Sequence, residues 1–467
     1  GAQAAGIRTG VYIYSYATSV EAAAAEAQLV LQWIEPYNIN FPIAFDIEDS
    51  VQKGLDANTC TAMANAFCST ISAAGYTPIL YTYTNFYKSH FTSALAYDKW
   101  IAQYSDHNDI AGWAIWQYSS SGSVAGISGR VDMNIAAKDY TAFIPQVGLL
   151  DLGAGNVFFF NNFRRQFGWV DVAGIKYHTD PATGIVTYGW YADETGAYYF
   201  APETAAASVG LTTIDNGIYY FNEAAQLQTG WLELGGLTFL FNPAENGKLY
   251  TGWWTDPTVG TRYLDTTDGH MLVGLSVIDK DMYFFNEQGY LQVGWVTLEG
   301  LTYMFNPNDG GKMYRGWWTD ATGTYYLDLN DAHRVSGLVA IDGATYYFNE
   351  AGQMQVGVVN INGATYDFGA DGKMLTGMQT VGDGTYFFGA DGVMATGLVQ
   401  TADGVYYAGA DGKLIAGQAV KIGGVDFLFG VDGKLVVNQV VQLGDTLFQT
   451  DEKGQVIATA PAPVATN

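Results

Sequence analysis

Three carboxylates follow one apolar stretch, Phe41 to Asp49, which reads FPIAFDIED. The apolar part suits a buried strand, with Pro42 near its entry, where a missing N–H costs least. Residues two apart in a strand share a face, about 7 Å apart along the chain. We therefore expect Asp46 and Glu48 to lie in one space, with Asp49 turned away. Paired carboxyl groups of this kind do acid and base chemistry, although a solvated strand end is the commoner fate of an acidic cluster.

The composition of the chain limits its classes of function. Among the 467 residues, aromatics make up 15% and charged residues only 14%, which is too apolar for a disordered chain. The formal net charge of -26 argues against nucleic-acid binding, because phosphate contacts need clustered Lys and Arg. It favours neutral or cationic partners. No apolar run approaches the length of a membrane span.

The sequence predicts no cofactor and no metal site. The five histidines, at positions 90, 107, 178, 270 and 333, do not have the spacing of metal ligands. Cys60 and Cys68 both fall in a predicted helix from Leu55 to Ala74. Their positions on that helix differ in height by about 12 Å, which is beyond disulfide reach. We therefore expect two unpaired core thiols.

Up to about residue 148, predicted strands alternate with helices or long crossovers. The strands are VYIYSY, FPIAFDIED, TPILYTY, KWIAQY at Lys99 to Tyr104, GWAIWQYSS at Gly112 to Ser120, and RVDMNIA at Arg130 to Ala136. Between the first two strands, Thr18 as N-cap and Glu21 as its capping-box partner begin a helix that Pro36 ends. The pattern predicts parallel strands in an α/β barrel or open sheet, with chemistry at the C-terminal strand ends.

The order and spacing of GVYIYSY, FDIED, ILYTYTNFY, KWIAQY and WQYSSSGSVAGISGRVDMNIA resemble the later strands of glycoside hydrolase family 25, the muramidase or lysozyme family, over about residues 1 to 140. The resemblance implies a modified (β/α) barrel that cleaves the β-1,4 bond between N-acetylmuramic acid and N-acetylglucosamine in peptidoglycan. It implies that Glu48 is the general acid and then the base. It further implies that Asp46 orients the substrate acetamido group or stabilises charge at the anomeric carbon, and that Asp132 is a third acidic residue of the cleft.

The same resemblance implies a set of side chains at strand ends that line the sugar groove: Tyr12, Tyr14, Tyr81, Tyr104, Trp116 and Gln117. Family members begin with a strand that carries a further active-site Asp, followed by a second strand, and neither stands before Gly1. About six strands are predicted where a closed barrel needs eight. We therefore expect residues 1–147 to form an incomplete (β/α) barrel that lacks its first strands and one side of its cleft.

After this α/β part the pattern becomes all-β. Residues 148–160 show neither helical nor strand period and are predicted to be a linker. From 161 to 458, glycines recur every 20 to 22 residues, and most are followed by an apolar residue, a small turn and an aromatic triplet such as YYF. Each unit predicts a β-hairpin. Since one hairpin cannot bury its own face, we expect the hairpins to stack as a repeat solenoid.

These units resemble the cell-wall-binding repeats of the choline-binding type, as in TGWLELGGLTFLFNPAENGKLYTGWW. The resemblance implies shallow aromatic cages for the choline of teichoic acids. A quaternary ammonium donates no strong hydrogen bond but is attracted to aromatic faces, and several weak cages bind a repeating polymer by avidity. Tryptophans that lead the units with a period of about 63 residues are the candidate ligand faces: Trp169, Trp190, Trp231, Trp253, Trp295 and Trp317.

Packing is the alternative interpretation of the repeat aromatics, and it suits the Tyr and Phe of the triplets best. No Trp follows Trp318. The later units carry in the leading position Leu338, Val358, Met378, Leu398 or Gln418. We therefore expect complete cages only before about residue 335. The GADGK and GVDGK turns are predicted to be Asp-Gly hairpin turns rather than calcium loops, and residues 459–467 a disordered tail.

Together these features predict an extracellular peptidoglycan hydrolase that its repeats hold on the cell wall. Its expected partners are peptidoglycan and choline-bearing teichoic acid or another wall polymer. The alternative is a catalytically inactive wall-binding protein that carries a truncated hydrolase domain.

Overall fold

The computed structural model describes residues 1–463 and divides the chain into two compact units, which begin at Gly1 and at Thr251. The first unit contains the α/β part and five hairpins, and the second contains hairpins alone. Within the described residues, no helix combines the length and apolarity needed to cross a lipid bilayer.

The α/β part is built on one six-stranded sheet whose strands follow one another in sequence order. They are β1 (Val11–Tyr14), β2 (Ile43–Asp46), β3 (Pro78–Tyr83), β4 (Lys99–Ala102), β5 (Ile115–Gly122) and β6 (Val131–Ala136). Strands β1 to β5 are parallel, and the sheet is open between its edge strands β1 and β6, as predicted for an incomplete barrel. The expectation of parallel pairing is wrong for β6, which runs antiparallel to β5. The short connection between them leaves no room for a crossover.

The helices occupy the predicted places with one correction. They are α1 (Val20–Ile34), α2 (Ala57–Ala73), α3 (Thr84–His90) and α4 (Tyr140–Phe143), with short 3₁₀ turns at Ala2–Ala5 and Ser50–Gln52. The N-cap of α1 is Ser19 rather than Thr18. Ser19 has an extended backbone, and its hydroxyl accepts the Ala22 N–H at 3.2 Å, so it satisfies a helix donor that Thr18 does not reach.

Alternate residues of the sheet build a core against α1 and α2. Phe45 of β2 and Leu80 of β3 are fully buried there, and the Phe45 ring stacks on that of Phe67 in α2 at 4.5 Å. Cys60 and Cys68 belong to the same core and are unpaired, as predicted. The residues between them along each strand face the opposite side of the sheet, where the cavity described below lies.

The repeats are antiparallel hairpins, as predicted. In the first unit they pair Val147–Asp151 with Val157–Asn161, Gly168–Val172 with Ile175–Thr179, Gly189–Asp193 with Gly196–Phe200, Gly210–Ile214 with Gly217–Phe221, and Gly230–Leu234 with Leu237–Asn242. In the second they pair Gly252–Asp256 with Gly260–Leu264, Gly274–Ile278 with Asp281–Phe285, Gly294–Leu298 with Leu301–Asn306, Gly316–Asp320 with Gly323–Leu327, Gly337–Ile341 with Ala344–Phe348, Gly357–Ile361 with Ala364–Phe368, Gly377–Val381 with Gly384–Phe388, Gly397–Thr401 with Gly404–Ala408, Gln418–Ile422 with Val425–Phe429, and Val440–Leu443 with Thr446–Thr450. Short additional strands are Arg164–Arg165, Leu227–Gln228, Lys248–Leu249, Lys312–Met313 and Val456–Pro461, and a 3₁₀ turn covers Pro243–Glu245.

Each unit stacks its hairpins through a buried column and a recurring backbone bond. One residue at or next to the end of the second strand is at most 1% exposed in most hairpins: Phe200, Phe221, Phe241, Leu264, Phe285, Phe305, Leu327, Phe348, Phe368, Phe388, Ala408 and Phe429. The segment after a hairpin then donates a backbone N–H to the hairpin before it, as Met374 does to Thr345 at 2.8 Å. The third residue of each aromatic triplet is therefore core.

Two predicted boundaries are wrong in part. Residues 148–160, expected to be a linker, lie almost wholly in the first hairpin, whose turn and neighbouring strand supply the backbone bonds that a linker would lack. Residues 459–461, the start of the expected tail, belong to the strand Val456–Pro461, which pairs with Thr446–Thr450. Residues 464–467 of that tail lie outside the described part.

We expect neither cysteine to react with a thiol reagent in the native protein. Burial hides both sulfurs, and it raises the pKa of Cys60 to about 11 with a smaller contribution from Asp56. Thiol titration with a coloured disulfide reagent at mildly alkaline pH should count none in the native protein and both in concentrated guanidinium chloride. Rapid native labelling of either thiol would contradict this packing.

Candidate functional site

A cavity of about 150 Å³ opens at the C-terminal ends of the parallel strands, and all six strands contribute to it. Its lining consists of Tyr12, Asp46, Glu48, Tyr81, Trp100, Gln117 and Asp132. Strand register explains the grouping, because Tyr81 pairs with Asp46 on one side and with Trp100 on the other, and residues in register share a face. The cavity therefore contains Asp46, Glu48 and Asp132, the three acids that the family resemblance assigns to the cleft.

Asp46 and Glu48 are adjacent acids in environments that disfavour charge. Asp46 is only 6% exposed, and among the described residues its Oδ1 has no hydrogen-bond partner. Burial, with a smaller contribution from the charge of Glu48, raises the pKa of Asp46 to about 7. Burial also raises the pKa of the half-buried Glu48. Near neutral pH the pair therefore retains a proton that an ordinary carboxyl would have lost.

Asp49 is turned away from this pair, as the strand period predicts. Its side chain accepts the Val51 N–H at 2.9 Å as the cap of the following 3₁₀ turn, and it accepts the Tyr14 hydroxyl at 3.0 Å. The bond from the Val51 N–H is the main reason that the pKa of Asp49 is lowered, whereas burial raises the pKa of Tyr14 to about 12. Three neighbouring acids thus divide into two that favour the neutral form and one that stays ionised.

Aromatic and amide groups form the remaining walls. The Tyr81 hydroxyl donates to Gln117 Oε1 at 2.5 Å, and this bond fixes the orientation of the Gln117 amide. Within the described residues, the amide nitrogen of Gln117 has no hydrogen-bond partner. Trp100, which the sequence analysis missed, donates its indole N–H to Asn134 Oδ1 at 2.8 Å, and its ring meets that of Tyr81 edge-on at 5.1 Å. Only the register of β4 against β3 selects Trp100, and a single sequence does not give that register.

Three residues expected to line the sugar groove lie outside the cavity. Trp116 is next to Gln117 in β5 and therefore points to the opposite face, where its indole N–H donates to the Gln103 carbonyl at 2.8 Å. Tyr104 lies beyond the end of β4 and is 60% exposed. Tyr14 shares a face with Tyr12, but its hydroxyl is held by Asp49.

Three of the six candidate tryptophans of the repeats have one shared environment, and we call them the ring-cluster tryptophans: Trp190, Trp253 and Trp317. Each contacts the Tyr paired with it in its own hairpin, at 5.3, 4.9 and 5.0 Å between ring centroids. Each also contacts a Tyr of the next hairpin, at 5.1, 5.2 and 4.9 Å, and its buried Phe, at 6.0, 6.1 and 5.9 Å. Their rings are 45%, 39% and 36% exposed, so each cluster has an aromatic face open to solvent.

Trp169 and Trp295 have a second environment, and we call them the aspartate-bound tryptophans. The Trp169 indole N–H donates to Asp193 at 3.0 Å, and that of Trp295 to Asp320 at 3.2 Å, in each case in the next hairpin. A cavity of about 500 Å³ lies beside Trp169, lined also by Lys176, Asp193, Glu194 and Tyr198. Trp231 occupies the corresponding strand position and pairs with Leu240.

One acidic turn in the repeats brings metal-ligand atoms together, although the histidine spacing predicted none. Ligand atoms of Asp265, Asp268 and His270 lie within 4.8 Å of one another. Hydrogen bonds within the turn account for this, since His270 Nδ1 lies 2.6 Å from Asp268 Oδ1. The GADGK turns likewise close on themselves, with Asp371 accepting the Lys373 N–H at 3.2 Å.

Comparison with known proteins divides the chain in the same way. The family model described as glycosyl hydrolases family 25 matches residues 1–127, a choline-binding repeat model matches residues 335–376, and a cell wall binding repeat model matches residues 376–394. The N-terminal part is thus a family 25 domain, and choline-binding repeats follow it.

Individual relatives cover only parts of the chain. The autolytic lysozyme of Clostridium acetobutylicum is 33% identical over 137 residues, 29% of this chain and 41% of that protein. The uncharacterized protein YegX of Escherichia coli is 30% identical over 150 residues, 30% of this chain and 54% of that protein. The chain therefore spans about half the length of these relatives. A crystal structure of choline binding protein F from Streptococcus pneumoniae covers 53% of this chain and 98% of its own, with 19% identity and a TM-score of 0.40.

Ionisation of Asp46 is expected to destabilise the fold as the pH rises. Its ordinary pKa is 3.8 and its native pKa about 7, so its contribution to stability is full below pH 3.8 and is lost as the pH rises through about 7. Asp46→Asn cannot ionise and should flatten this slope, so the variant should lose less stability than the native protein between pH 3.8 and about 7. Urea unfolding across that pH range measures the effect.

Asp49→Asn is the matched control for that measurement. Because the pKa of Asp49 is lowered, its contribution is lost as the pH falls, which is the opposite direction. A decline with rising pH that persists in Asp46→Asn would assign the effect to another group.

Proposed function

We propose that this family 25 domain and its repeats make the chain a cell-wall-targeted peptidoglycan hydrolase, which cleaves the β-1,4 bond between N-acetylmuramic acid and N-acetylglucosamine. The observation that carries the proposal is the pair Asp46 and Glu48, two carboxyls of raised pKa that line one cavity in the segment matched by family 25. A glycosidase needs one carboxyl that is still protonated near neutral pH and a second that supports positive charge on the sugar.

In this mechanism Glu48 protonates the glycosidic oxygen as the bond to the anomeric carbon breaks. The carboxylate that remains then takes a proton from the incoming water. Glu48 is the more accessible of the two acids, which suits contact with the scissile oxygen. Asp46 lies deeper, and its unpartnered Oδ1 is available to accept the substrate acetamido N–H or to face the developing charge.

The remaining lining residues suit a sugar chain. Trp100, Tyr81 and Tyr12 offer ring surfaces for the apolar faces of pyranose rings, and the Gln117 amide nitrogen offers a donor for hydroxyl or acetyl oxygens. Asp132, from the antiparallel β6, adds an acceptor across the cavity from β1. Tyr12, on the edge strand β1, is 68% exposed, so one side of the groove is open to solvent.

The repeats would hold the enzyme on its polymeric substrate. The ring-cluster tryptophans present aromatic faces of the kind that attract the quaternary ammonium of choline-bearing teichoic acid. Each such contact is weak, but three of them engaged on one repeating polymer bind by avidity. The net charge of -26 adds a long-range attraction for cationic groups. This role places the protein outside the cell, on the wall.

Glu48→Gln should lower the release of reducing ends from purified peptidoglycan by at least about 100-fold, because an amide cannot donate the proton. Glu35→Gln, which neutralises an exposed carboxylate at the end of α1, is the matched control and should keep native activity. If the native protein and Glu48→Gln both release no reducing ends, the second candidate function remains, a wall-binding protein with an inert hydrolase domain. The open side of the groove at Tyr12 is the feature that favours this candidate.

Trp317→Ala should weaken retention on immobilised choline, because it removes the central ring of one cluster. We expect a loss of about threefold to tenfold in the apparent Kd for a choline-bearing polymer. Leu275→Ala is the control, since Leu275 leads the Gly274–Ile278 strand in the same position and is 48% exposed but has no π face. Equal losses in the two variants would show that the leading residues act by packing alone.

A further inference from the structure

Trp169 and Trp295 share an aspartate and a tyrosine contact but differ in what else meets the ring. Trp169 also contacts the rings of His178, Tyr191 and Phe200, at 5.2, 6.1 and 5.6 Å between centroids. Both indoles are held by an aspartate of the next hairpin, and both lie against a tyrosine, Tyr198 at 4.6 Å and Tyr325 at 4.8 Å. Over the Trp295 ring lies the guanidinium of Arg334, whose Cζ is 5.7 Å from the ring centroid. No cation lies over the ring of Trp169 in the described chain, and that ring is 40% exposed.

Arg334 and Ala207 occupy equivalent backbone positions, each in the segment that follows a hairpin. The Arg334 N–H donates to the Thr302 carbonyl at 2.7 Å, and the Ala207 N–H donates to the Lys176 carbonyl at 2.8 Å. Arg334 forms a bridge with Leu327, the last residue of its hairpin, and Ala207 forms one with Phe200. We call this position the slot residue. The side chain in the slot is therefore the difference between the two sites that concerns a cation.

A second position changes together with the slot residue. A Cβ at Gly352 would lie 2.5 Å from Cδ and Nε of Arg334, so the arginine stem packs directly on that glycine, whose φ is +74°. The corresponding residue beside Ala207 is Ala225, which is fully buried at a φ of 65°. A long slot side chain thus requires glycine, while alanine in the slot leaves room for a Cβ. The position of Arg334 over Trp295 is therefore built into the packing.

We propose that Arg334 serves as an internal cationic ligand of Trp295, so that this site is closed to external quaternary ammonium groups while the equivalent site at Trp169 is open. The inference rests on the proposed wall-binding function of the repeats and specifies which of their tryptophans take part.

Charge and geometry support the internal ligand. Hydrogen bonds from Thr322 and from two indoles outweigh burial and lower the pKa of Asp320 to about 2, so its carboxylate attracts a cation to this site at any physiological pH. A planar guanidinium stacks well on an aromatic face, and a tethered cation competes at high effective concentration with a free one. Beside Trp169, Lys176 lines the cavity instead, and its ammonium is engaged with the Ala224 carbonyl at 3.2 Å.

The test follows individual tryptophans by fluorine NMR of the full chain labelled with fluorotryptophan, titrated with choline chloride. Trp295→Phe and Trp169→Phe assign the two resonances. In the native chain the Trp169 signal should shift and the Trp295 signal should not. In Arg334→Ala the Trp295 signal should shift. The Kd for choline from that shift should be at least about tenfold below the lower limit that the titration sets for the native site. Arg334→Met is a second variant in case the alanine variant folds poorly, because methionine already occupies the slot at Met271 and Met354. The Trp295 signal should shift in this variant too.

The converse variant closes the open site. Ala207→Arg combined with Ala225→Gly reproduces the Arg334 and Gly352 pair, and it should abolish the response of Trp169. Lys421→Met, which removes an exposed positive charge elsewhere, is the control for net charge. A Trp295 signal that shifts in the native chain, or that stays fixed in both Arg334 variants, would overturn the inference. The ring-cluster tryptophans report separately on the proposed function, which fails if none of them responds to choline.

Discussion

The two-residue alternation of side chains along a strand is the constraint on which both parts of this molecule depend. In β2 it sends Phe45 into the helical core and Asp46 into the cavity, so one short strand supplies both the packing and the chemistry. In the repeats it puts the buried residue near the end of most second strands, usually phenylalanine, on the face opposite the residue that leads the first strand. A shift of one residue in register would bury the charged or exposed set and expose the core set.

The extent to which the sequence predicted the site follows from the same constraint. Asp46, Glu48 and Asp49 are close in sequence, so their division into two cavity residues and one outward residue needed only the strand period. The presence of Trp100 in the cavity depends on the pairing of β4 with β3, which a single sequence does not give. Gln117 and Trp116 were assigned to one groove although neighbours in a strand face opposite sides, an error that the period alone would have corrected. The antiparallel direction of β6 was missed although the short connection from β5 leaves no room for a crossover, and the hairpin at 147–161 was missed because its residues show no strand period.

Desolvation is the main cause of the raised pKa values at the site, and Coulomb repulsion is secondary. This order matters chemically. Repulsion alone would be relieved when either acid gained a proton, whereas burial disfavours charge on each acid separately. Burial by the sheet therefore accounts for most of the rise in the pKa of each acid, whatever the charge on its neighbour. The cost is a carboxyl group that destabilises the native fold when it ionises, which is a common property of sites built for proton transfer.

The repeats separate fold from binding capacity. The repeat-family matches fall at residues 335–394, where no unit carries a tryptophan, so what those matches record is the hairpin pattern and its buried phenylalanine. In the proposed binding role, the capacity to bind a cation depends on two positions that vary among the hairpins, the leading residue and the slot residue. Leu338 or Val358 in the leading position removes the aromatic face, and Arg334 in the slot covers one that is present. The buried column keeps a phenylalanine in both cases, Phe348 beside the leading Trp317 and Phe368 in the hairpin that follows Leu338, so the leading residue can change without a change in the column.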